Sequence, residues 1–436
     1  MSNTEQRTGR RHFVMGALAA GIGSCTVARG QTRESSPRTP FNPKITEIKT
    51  YKFNVPTGKP RVDPGTGKLI SSAFKTWLFL KIETNTDLYG WGEASIEWLS
   101  PVVEKTIQGW RELLVGRNPL DVVAICDDIT DRLPWKGGPI LGSAIAAINM
   151  ALYDITGKAW KVPVYQVLGG RKRDRIKVYN GSLNFESVEK ARAIARAAVD
   201  AGARGLKGNP LEARIWPMDQ RVVEHCTNVV AGVREEVGPN VHILLDTHGS
   251  PTPALAILFA KMVAPYRPLF LEEPCKVGDV AAMKEIARQS PVPIATGEKL
   301  FTARAFKEVI DARACAFLQP DVSHSFGLNH FLKIAHMAEE AQMLMAPHNA
   351  GGPVHFASLL HVDAVISNFL VQEVWNIERH SQYVDHDFEF DRGYVALNDR
   401  PGLGIDVNEN HIAKLPYKSS MAYREYRNAD GSWKGW

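Results

Sequence analysis

Seven ionisable side chains follow seven successive apolar segments of the chain, each one just past the last apolar residues. They recur at about the interval of one strand and one helix with their loops. In chain order they are Lys207, Asp246, Glu272, Glu298, Asp321, His348 and Glu373. Charged residues often begin loops, but scattered charges would not keep one phase over seven segments. The spacing therefore predicts a ring of ionisable groups at the ends of adjacent strands.

Three of these carboxylates, those of Asp246, Glu272 and Glu298, follow neighbouring predicted strands. Converging carboxylates repel one another and raise each other's pKa unless a cation lies between them. An all-oxygen, anionic set suits a hard divalent ion, and Mg²⁺ leaves open positions for a substrate. We therefore predict one Mg²⁺ per subunit, able to chelate a substrate carboxylate and to accept the charge of an enediolate. Glu273 is an alternative ligand, but the two-residue period of a strand favours Glu272.

Two histidines complete the predicted chemistry. His348 and Asp321 follow adjacent strands, and a carboxylate bonded to an imidazole makes that imidazole a general base near neutral pH. His248 lies two residues past Asp246, so that both side chains are expected to face the same side of the strand. One histidine could then remove a proton from a metal-held substrate while the other donates one.

The elements that must carry these groups alternate between short apolar strands and helices from residue 175 onward. The predicted strands are 176–179, 205–207, 241–246, 269–271, 292–295, 314–318, 343–346 and 368–371. The predicted helices are 188–201, 221–236, 253–263, 281–289, 302–309, 328–341 and 354–365. This alternation indicates parallel βαβ units, and eight such strands close into a barrel whose active site lies at the carboxyl ends. Residues 44–170 instead show a strand meander followed by helices, which predicts an α+β unit.

The chain of 436 residues carries a formal charge of +5, and much of this excess is local. Residues 1–30 contain Arg7, Arg10, Arg11 and Arg29 against Glu5 alone. The rest of the chain is nearly neutral and gives no footing for nucleic-acid binding.

The paired Arg10 and Arg11, with Phe13 and a mild apolar run after them, resemble a twin-arginine export signal. The run is too short and too weakly apolar for a membrane-spanning helix, so we expect an exported, periplasmic protein. A lipoprotein box ending at Cys25 and a plain disordered basic tail are the alternatives. Residues 31–43 are predicted to be a linker, and the cysteines, none in C-x-x-C spacing, to be structural thiols.

Nine short motifs between residues 90 and 404 occur together in one order. They are Gly90-Trp-Gly-Glu-Ala94, Ala146-Ala-Ile-Asn-Met-Ala-Leu-Tyr-Asp154, Pro163-Val-Tyr-Gln-Val-Leu-Gly-Gly170, Asp246-Thr-His248, Leu271-Glu-Glu-Pro274, Ala295-Thr-Gly-Glu298, Gln319-Pro-Asp321, Ala346-Pro-His348 and Arg400-Pro-Gly-Leu-Gly404. With them the chain resembles the enolase superfamily, its mandelate racemase subgroup, and within that the acid-sugar dehydratases of the galactonate type. The resemblance implies a modified TIM barrel, (β/α)7β, at 171–390. It also implies an N-terminal α+β capping domain at 44–170, completed by a C-terminal segment at 391–436.

The resemblance also implies a Mg²⁺-dependent dehydratase, a hydro-lyase that turns an aldonate such as galactonate or gluconate into a 2-keto-3-deoxy acid. By this resemblance Asp246, Glu272 and Glu298 are the Mg²⁺ ligands. His348, paired with Asp321, removes the C2 proton, and His248 donates a proton to the leaving 3-hydroxyl. The resemblance further implies that Glu373 makes a hydrogen bond to the enediolate and that Lys207 and Asn209 contact the substrate. The implied assembly is a homo-oligomer with a small sugar acid as its partner. Ser250 and the segment 349–353 depart from the dehydratase pattern, which leaves the substrate open.

Two other functions stay open from the sequence. One is a racemase or epimerase that acts through the same enediolate, and the other is a non-catalytic exported protein that binds sugar acids.

Several residues have a structural and a functional interpretation. Lys207 is either a substrate contact or a salt-bridge partner. Glu93, His324, His355 and His361 are predicted to be structural, and Trp98, Trp135 and Trp216 to pack in the core. The loop 57–72, with Lys59, Arg61 and Lys68, is predicted to cover the site.

Overall fold

The computed structural model describes residues 41–58, 60–62, 69–71, 73–211, 220–375 and 377–419. The chain divides into two units, Met1–Phe41 and Asn42–Trp436. All the strands and helices described below belong to the second unit. The predicted export signal at 1–30, Cys25 and most of the linker lie outside the described residues. So do Lys59, Lys68 and Trp216, and only the backbone of Arg61 is described.

An antiparallel sheet begins the second unit. The strands of this region are β1 (Ile45–Pro56), β2 (Arg61–Val62), β3 (Leu69–Ser71), β4 (Phe74–Thr84) and β5 (Tyr89–Glu93). β4 lies between β1 and β5, and β2 pairs with β3 as a small hairpin. Aromatic side chains fill one face of the sheet, where the Phe53 ring packs edge-on against Phe79 at 5.2 Å between ring centroids. This sheet is the meander that the sequence predicts.

Helices cover the face of this sheet opposite to the aromatic rings, because Gly92 lies against one of these helices, whereas Phe79 pairs with the next residue, Glu93. They are α1 (Ser100–Gly109), α2 (Arg111–Leu114), α3 (Val122–Arg132), α4 (Pro139–Trp160) and α5 (Val164–Val167). α4 lies directly on β5 because Gly90 and Gly92 leave no Cβ there; a Cβ at Gly92 would stand 1.9 Å from the Ala147 carbonyl oxygen. Among the described residues α4 is the one helix long and apolar enough to cross a membrane, and 89% of that stretch is buried inside the protein. It is therefore placed as a core helix.

The barrel follows, and its described residues form eight strand positions and seven helices. Its strands are β6 (Arg175–Tyr179) continued by β7 (Gly181–Ser182), β8 (Gly205–Gly208), β9 (His242–Asp246), β10 (Phe270–Glu272), β11 (Ile294–Thr296), β12 (Phe317–Leu318), β13 (Leu344–Met345) and β14 (Gln372–Glu373). Its helices are α6 (Val188–Asp200), α7 (Gln220–Val237), α8 (Pro253–Val263), α9 (Val280–Gln289), α10 (Ala303–Asp311), α11 (Leu328–Glu340) and α12 (Pro353–Val365), with 3₁₀ turns at Ala264–Tyr266 and Ile377–Gln382.

Parallel pairing runs through neighbouring strands from β7 to β13 and again between β14 and β6. A parallel bridge between Met345 and Phe369 joins the two sets, which closes the barrel. Side chains cap the helices that follow several strands; Ser187, Thr252, Asp279 and Thr302 each accept a hydrogen bond from a backbone N–H of the first turn. The predicted (β/α)7β barrel is confirmed.

The C-terminal segment first stays with the barrel and then returns to the N-terminal sheet. Its elements are β15 (Val384–Asp385), β16 (Phe390–Asp391), β17 (Tyr394–Ala396), β18 (Asp406–Val407) and α13 (Glu409–Ile412). β17 pairs with β6 of the barrel. Asp406 accepts hydrogen bonds from Tyr89 Oη at 2.8 Å and Trp91 Nε1 at 3.2 Å, and Glu409 lies 2.6 Å from Lys81 Nζ. The predicted completion of the capping domain by the tail is thus confirmed.

Two of the smaller expectations, for the cysteines and the tryptophans, can be compared with this fold. The four cysteines of the described part of the chain, Cys126, Cys226, Cys275 and Cys315, are buried, as expected of structural thiols. The prediction that the tryptophans pack in the core is wrong for Trp98 and Trp135, whose side chains are 40% and 84% exposed. Both stand in connections that follow the sheet and α3, outside the periodic elements whose apolar faces form the core.

His361, in α12, makes stability depend on acid pH. Its Nδ1 accepts a hydrogen bond from the Tyr165 backbone N–H at 3.1 Å, so that nitrogen must be unprotonated. Burial lowers the pKa of His361 from 6.5 to about 4. An unfolded histidine titrates near pH 6.5, so the stabilisation is complete above that pH and is lost as the pH falls toward 4, by about 1.4 kcal/mol per pH unit.

We therefore expect His361→Asn, whose amide oxygen can accept the same bond, to flatten the fall in the free energy of unfolding between pH 6.5 and 4. Urea unfolding at several pH values measures this slope. His336→Asn, at an exposed position of α11, is the matched control and should leave the slope unchanged. Equal slopes for wild type and His361→Asn would contradict the expectation.

Candidate active site

The carboxyl ends of β8, β9 and β10 bring three predicted site residues together. Glu272 and Asp246 end their strands as register partners in the parallel sheet. Lys207 lies one strand further on, in β8. All three side chains are buried. The parallel register therefore places the two carboxylates side by side at the mouth of the barrel.

Lys207 is the centre of this cluster. Its Nζ lies 2.9 Å from Glu272 Oε1, 3.1 Å from Asp246 Oδ2 and 3.2 Å from Glu373 Oε1. Burial opposes its charge, but the three carboxylates outweigh burial and hold the pKa of Lys207 well above its ordinary value. Of the two interpretations from sequence, the salt-bridge partner is the arrangement seen here.

Glu298, after β11, has a cation of its own. Lys299 Nζ lies 2.7 Å from Glu298 Oε1 and also bonds Glu273. Glu273 adopts a left-handed backbone conformation with φ of 44°, and its carboxylate pairs with Lys299. The other carboxylate oxygen of Glu273, Oε1, is buried without a hydrogen-bond partner, so Glu273 stays an alternative ligand. Lys299 was not predicted from the sequence, although its place directly after a predicted ligand was a signal.

His348 and Asp321 form the predicted pair. His348 Nδ1 lies 2.8 Å from Asp321 Oδ2, and His348 Nε2 lies 3.4 Å from Glu298 Oε2 and 4.0 Å from Glu373 Oε2. Burial disfavours the imidazolium, but Glu298, the Asp321 hydrogen bond and Glu373 raise the pKa of His348 to about 10. Burial also opposes ionisation of Asp321, but the charges of neighbouring histidines hold the pKa of Asp321 below its usual range.

His248 and Asn209 meet on the other side of the cluster. Asn209 Nδ2 lies 2.8 Å from His248 Nδ1, while His248 Nε2 lies 3.2 Å from Asp246 Oδ2. Burial lowers the pKa of His248, against the charge of Asp246. The backbone of His248 is left-handed, with φ of 48°, a conformation that costs a non-glycine residue energy and that clusters at functional sites.

Glu373 accepts hydrogen bonds on both carboxylate oxygens. Lys207 and Trp375 Nε1, the latter at 2.9 Å, donate to Oε1, and the Asn349 backbone N–H donates to Oε2 at 3.1 Å. The carboxylate therefore anchors Lys207 and the loop after β13. Trp375 and Asn349 are further neighbours of the site that the sequence analysis did not identify.

Two histidines that the sequence analysis predicts to be structural lie against Asp321. His355 Nε2 is 3.2 Å from Asp321 Oδ1, at ion-pair distance without hydrogen-bond alignment. His324 Nε2 is 3.8 Å from Asp321 Oδ2, and its Nδ1 lies 2.8 Å from Ser143 Oγ of α4. His361 makes the backbone contact with Tyr165 described above and belongs to the packing of α12. The structural interpretation therefore suits His361, whereas the other two surround the partner of His348.

The residues present fit a divalent cation. Glu272 Oε2 is buried and has no hydrogen-bond partner, as expected for an oxygen that faces an ion. Burial and the charge of Asp246 raise the pKa of Glu272 well above its ordinary value, which is the cost of leaving these carboxylates without further positive charge. A divalent cation would offset the charge of Glu298 and thereby bring the pKa of His348 down toward neutrality.

Two overlapping sets of side chains could hold such an ion. Asp246, Glu272 and Glu298 form the all-oxygen set that the sequence predicts, and Mg²⁺ prefers such donors. Within the described part of the chain, Asp246, His248 and Glu298 are the group of potential ligands whose donor atoms lie within 4.8 Å of one another. Lys207 contacts both Asp246 Oδ2 and Glu272 Oε1 in this arrangement, and Asp246 and Glu298 belong to both sets.

Comparison with protein-family models identifies both parts of the chain. Residues 55–169 match the N-terminal domain of the mandelate racemase / muconate lactonizing enzymes, and residues 190–411 match the enolase C-terminal domain-like family. D-galactonate dehydratase of Cronobacter sakazakii is 36% identical over 405 residues, which are 90% of this chain and 100% of that protein. The D-galactonate dehydratase of Klebsiella pneumoniae is 35% identical over 83% of this chain and 96% of its own length.

Solved structures show the same architecture. An enolase from Agrobacterium radiobacter, crystallised with sodium and L-malate, superposes with a TM-score of 0.78 at 25% identity, over 89% of this chain and 99% of its own. A member of the enolase superfamily from Salmonella Typhimurium gives a TM-score of 0.75 at 24% identity, over 86% and 98% of the two chains. These similarities extend over the N-terminal unit and the barrel together.

Proposed function

Because the chain belongs to the mandelate racemase / muconate lactonizing enzyme family of the enolase superfamily, we propose that it is a Mg²⁺-dependent dehydratase of an aldonic acid. It is a hydro-lyase, and the D-galactonate dehydratases that match 83% to 90% of it support a sugar acid as substrate. The observation that carries the proposal is the pair of histidines at one carboxylate cluster. His348 lies 3.4 Å from Glu298, and His248 lies 3.2 Å from Asp246.

Proton removal is assigned to His348. Its Nδ1 faces Asp321, so Nε2 is the nitrogen that accepts the C2 proton. The electrons of the C2–H bond move toward the carboxylate and form an enediolate. Asp246, Glu272 and Glu298 would hold Mg²⁺, which would supply positive charge to stabilise the negative charge that develops on the substrate carboxylate.

Loss of the hydroxyl group is assigned to His248. The enediolate electrons form the C2–C3 double bond as the C3–O bond breaks, and His248 gives the departing oxygen a proton so that water leaves. The resulting enol becomes the 2-keto-3-deoxy acid. Asn209 holds the other ring nitrogen of His248 and orients the ring. Lys207 holds the carboxylates of Asp246, Glu272 and Glu373 in place. Contact of Lys207 and Asn209 with the substrate stays a prediction.

His248 separates dehydration from racemisation. We expect His248→Asn to lower the rate of dehydration at least about 100-fold, because general acid catalysis contributes about 10²–10⁴-fold, while His348 still exchanges the C2 proton with solvent. Proton NMR in D₂O measures both processes on D-galactonate. Undiminished dehydration in His248→Asn would contradict the assigned role, and His411→Asn, at an exposed position, serves as the control.

The same NMR experiment on the wild type tests the proposed function. With Mg²⁺ and D-galactonate or D-gluconate, a 2-keto-3-deoxy product is expected. An epimer that carries deuterium at C2, with no loss of water, would instead establish the racemase or epimerase alternative. A non-catalytic binding protein is not retained, because the chain is a hydro-lyase by family and relatives.

A further inference from the structure

We propose that Glu93 of β5 is a positioning residue for the base His348, and that together with Lys75 of β4 it fastens the loop carrying this base to the capping sheet. The inference rests on the proposed function, in which His348 removes the C2 proton. It gives the capping sheet a role in placing the base.

Glu93 is buried, and its carboxylate binds the start of α12. Its Oε1 accepts hydrogen bonds from the Gly352 backbone N–H and from Ser95 Oγ, both at 2.6 Å, and its Oε2 accepts from the His355 backbone N–H at 2.9 Å. Gly352 is the N-cap of α12 and has no side chain to accept these bonds. The Glu93 carboxylate therefore accepts the hydrogen bonds that an N-cap side chain would accept, at the positive end of the helix dipole.

Lys75 binds the same loop at Ala350, which is closer in sequence to His348 than Gly352, where Glu93 binds. Its Nζ donates to the Ala350 carbonyl oxygen at 2.8 Å. The neighbouring Asn349 backbone N–H donates to Glu373 Oε2 at 3.1 Å, on the barrel side. Between His348 and α12 the loop thus makes two hydrogen bonds to the barrel residue Glu373, both from Asn349, and two to the capping sheet, with Lys75 and Glu93.

The loop has little slack between these ties. A Cβ at Gly352 would stand 2.8 Å from the Trp77 ring and 2.9 Å from Glu93 Oε1, and one at Gly351 would stand 2.1 Å from His355 Nδ1. The backbone at Gly351 and Gly352 therefore packs closely against the capping sheet on one side and against the His355 ring on the other. A shift of Glu93 must move the loop.

A second route leads from Glu93 to the base through His355. The backbone of His355 is held by Glu93, and its ring lies 3.2 Å from Asp321 Oδ1. The other oxygen of Asp321 holds His348 Nδ1 at 2.8 Å. Both the base and its partner thus rest on the Glu93 contact, and a misplacement of about 1 Å in such a group can cost about 10²-fold in rate.

The first test is Glu93→Gln, which keeps the shape but turns one accepting oxygen into a donor facing backbone N–H groups. We expect kcat to fall about 10- to 100-fold with KM within about two-fold. The isotope effect with C2-deuterated substrate should rise, because the displaced base slows proton transfer. Glu83→Gln is the control, since Glu83 lies on the same sheet in a partly exposed ion pair with Lys49.

Lys75→Met removes the Ala350 tie while leaving the cap of α12 intact, so it covers the case in which Glu93→Gln folds poorly. The same kinetic signature is expected, with a smaller loss. Folded variants with unchanged kcat, KM and isotope effect would overturn the proposal even if they melt at lower temperature. A raised KM at unchanged kcat in Lys75→Met would also overturn it, because Lys75 would then bind the substrate.

One readout needs no turnover and so separates this inference from the proposed function. The Nδ1 proton between His348 and Asp321 should give a low-field NMR resonance, assigned by its loss in His348→Asn. Glu93→Gln is expected to shift or broaden it, and Glu83→Gln to leave it in place. An unshifted resonance would overturn the positioning role, whereas a wild type that turns over no sugar acid would overturn only the proposed function.

Discussion

His348→Asn is expected to lower kcat by about three orders of magnitude, which is within the range of general-base catalysis. The residue supplies the nitrogen that takes the C2 proton, and no second imidazole stands in its place beside Asp321 Oδ2 at hydrogen-bond distance in the described part of the chain. Asn can still donate a hydrogen bond to Asp321, so the loop should keep its fold. Steady-state formation of the 2-keto acid measures the loss.

His336→Asn makes the same substitution at an exposed position of α11 and should leave kcat unchanged. His348→Asn should also lose the exchange of the C2 proton with D₂O, which His248→Asn retains. A loss of less than about ten-fold in His348→Asn, or retained exchange, would assign proton removal to another group.

Asp246→Asn is expected to abolish both turnover and the stabilisation of the protein by Mg²⁺. A ligand at 100 times its Kd stabilises a folded protein by about 2.7 kcal/mol, so the wild-type Tm should rise when Mg²⁺ is added. Asp246 lies within 4.8 Å of the other donors and also contacts Lys207 at 3.1 Å. Its neutral amide attracts a divalent cation far less.

Thermal melts with Mg²⁺ and with chelator measure this effect without any substrate. Asp131→Asn, at a side chain that is 79% exposed, should keep the full Mg²⁺-dependent rise in Tm. A wild type that melts at the same temperature in Mg²⁺ and in chelator would refute the metal site. A full rise in Asp246→Asn would place the ion on other ligands.

The barrel could be predicted from the sequence because each unit repeats one pattern, an apolar strand, an ionisable residue and an amphipathic helix. Most boundaries differ from the structure by a few residues at most. The last strand differs most, since 368–371 is the predicted range and Gln372–Glu373 the observed strand. Phe369 makes only a single bridge to Met345, and ladder pairing with β6 begins at Gln372. The apolar residues 368–371 show which segment is buried, but the position of the strand is set by its hydrogen bonds to β6, which the apolar pattern does not reveal.

The site was predicted less completely than the fold. A two-residue period shows that Lys207 faces the barrel mouth, but it cannot show that three carboxylates from different strands converge on one ammonium group. His324 and His355 lie in a loop and a helix, where no period relates them to Asp321. Glu93 contacts Gly352 across 259 residues of sequence, and only the packing of the capping sheet on the barrel makes that contact.

The central claim is that this carboxylate and histidine cluster dehydrates a sugar acid. A library of aldonic and aldaric acids, incubated with the purified protein and Mg²⁺ and assayed for 2-keto acid, tests it most directly. We expect the wild type to convert at least one aldonate to its 2-keto-3-deoxy acid, and this conversion to be lost in chelator and in His348→Asn. A wild type that produces no 2-keto acid from any member of the library, in a preparation that Mg²⁺ stabilises, would contradict it.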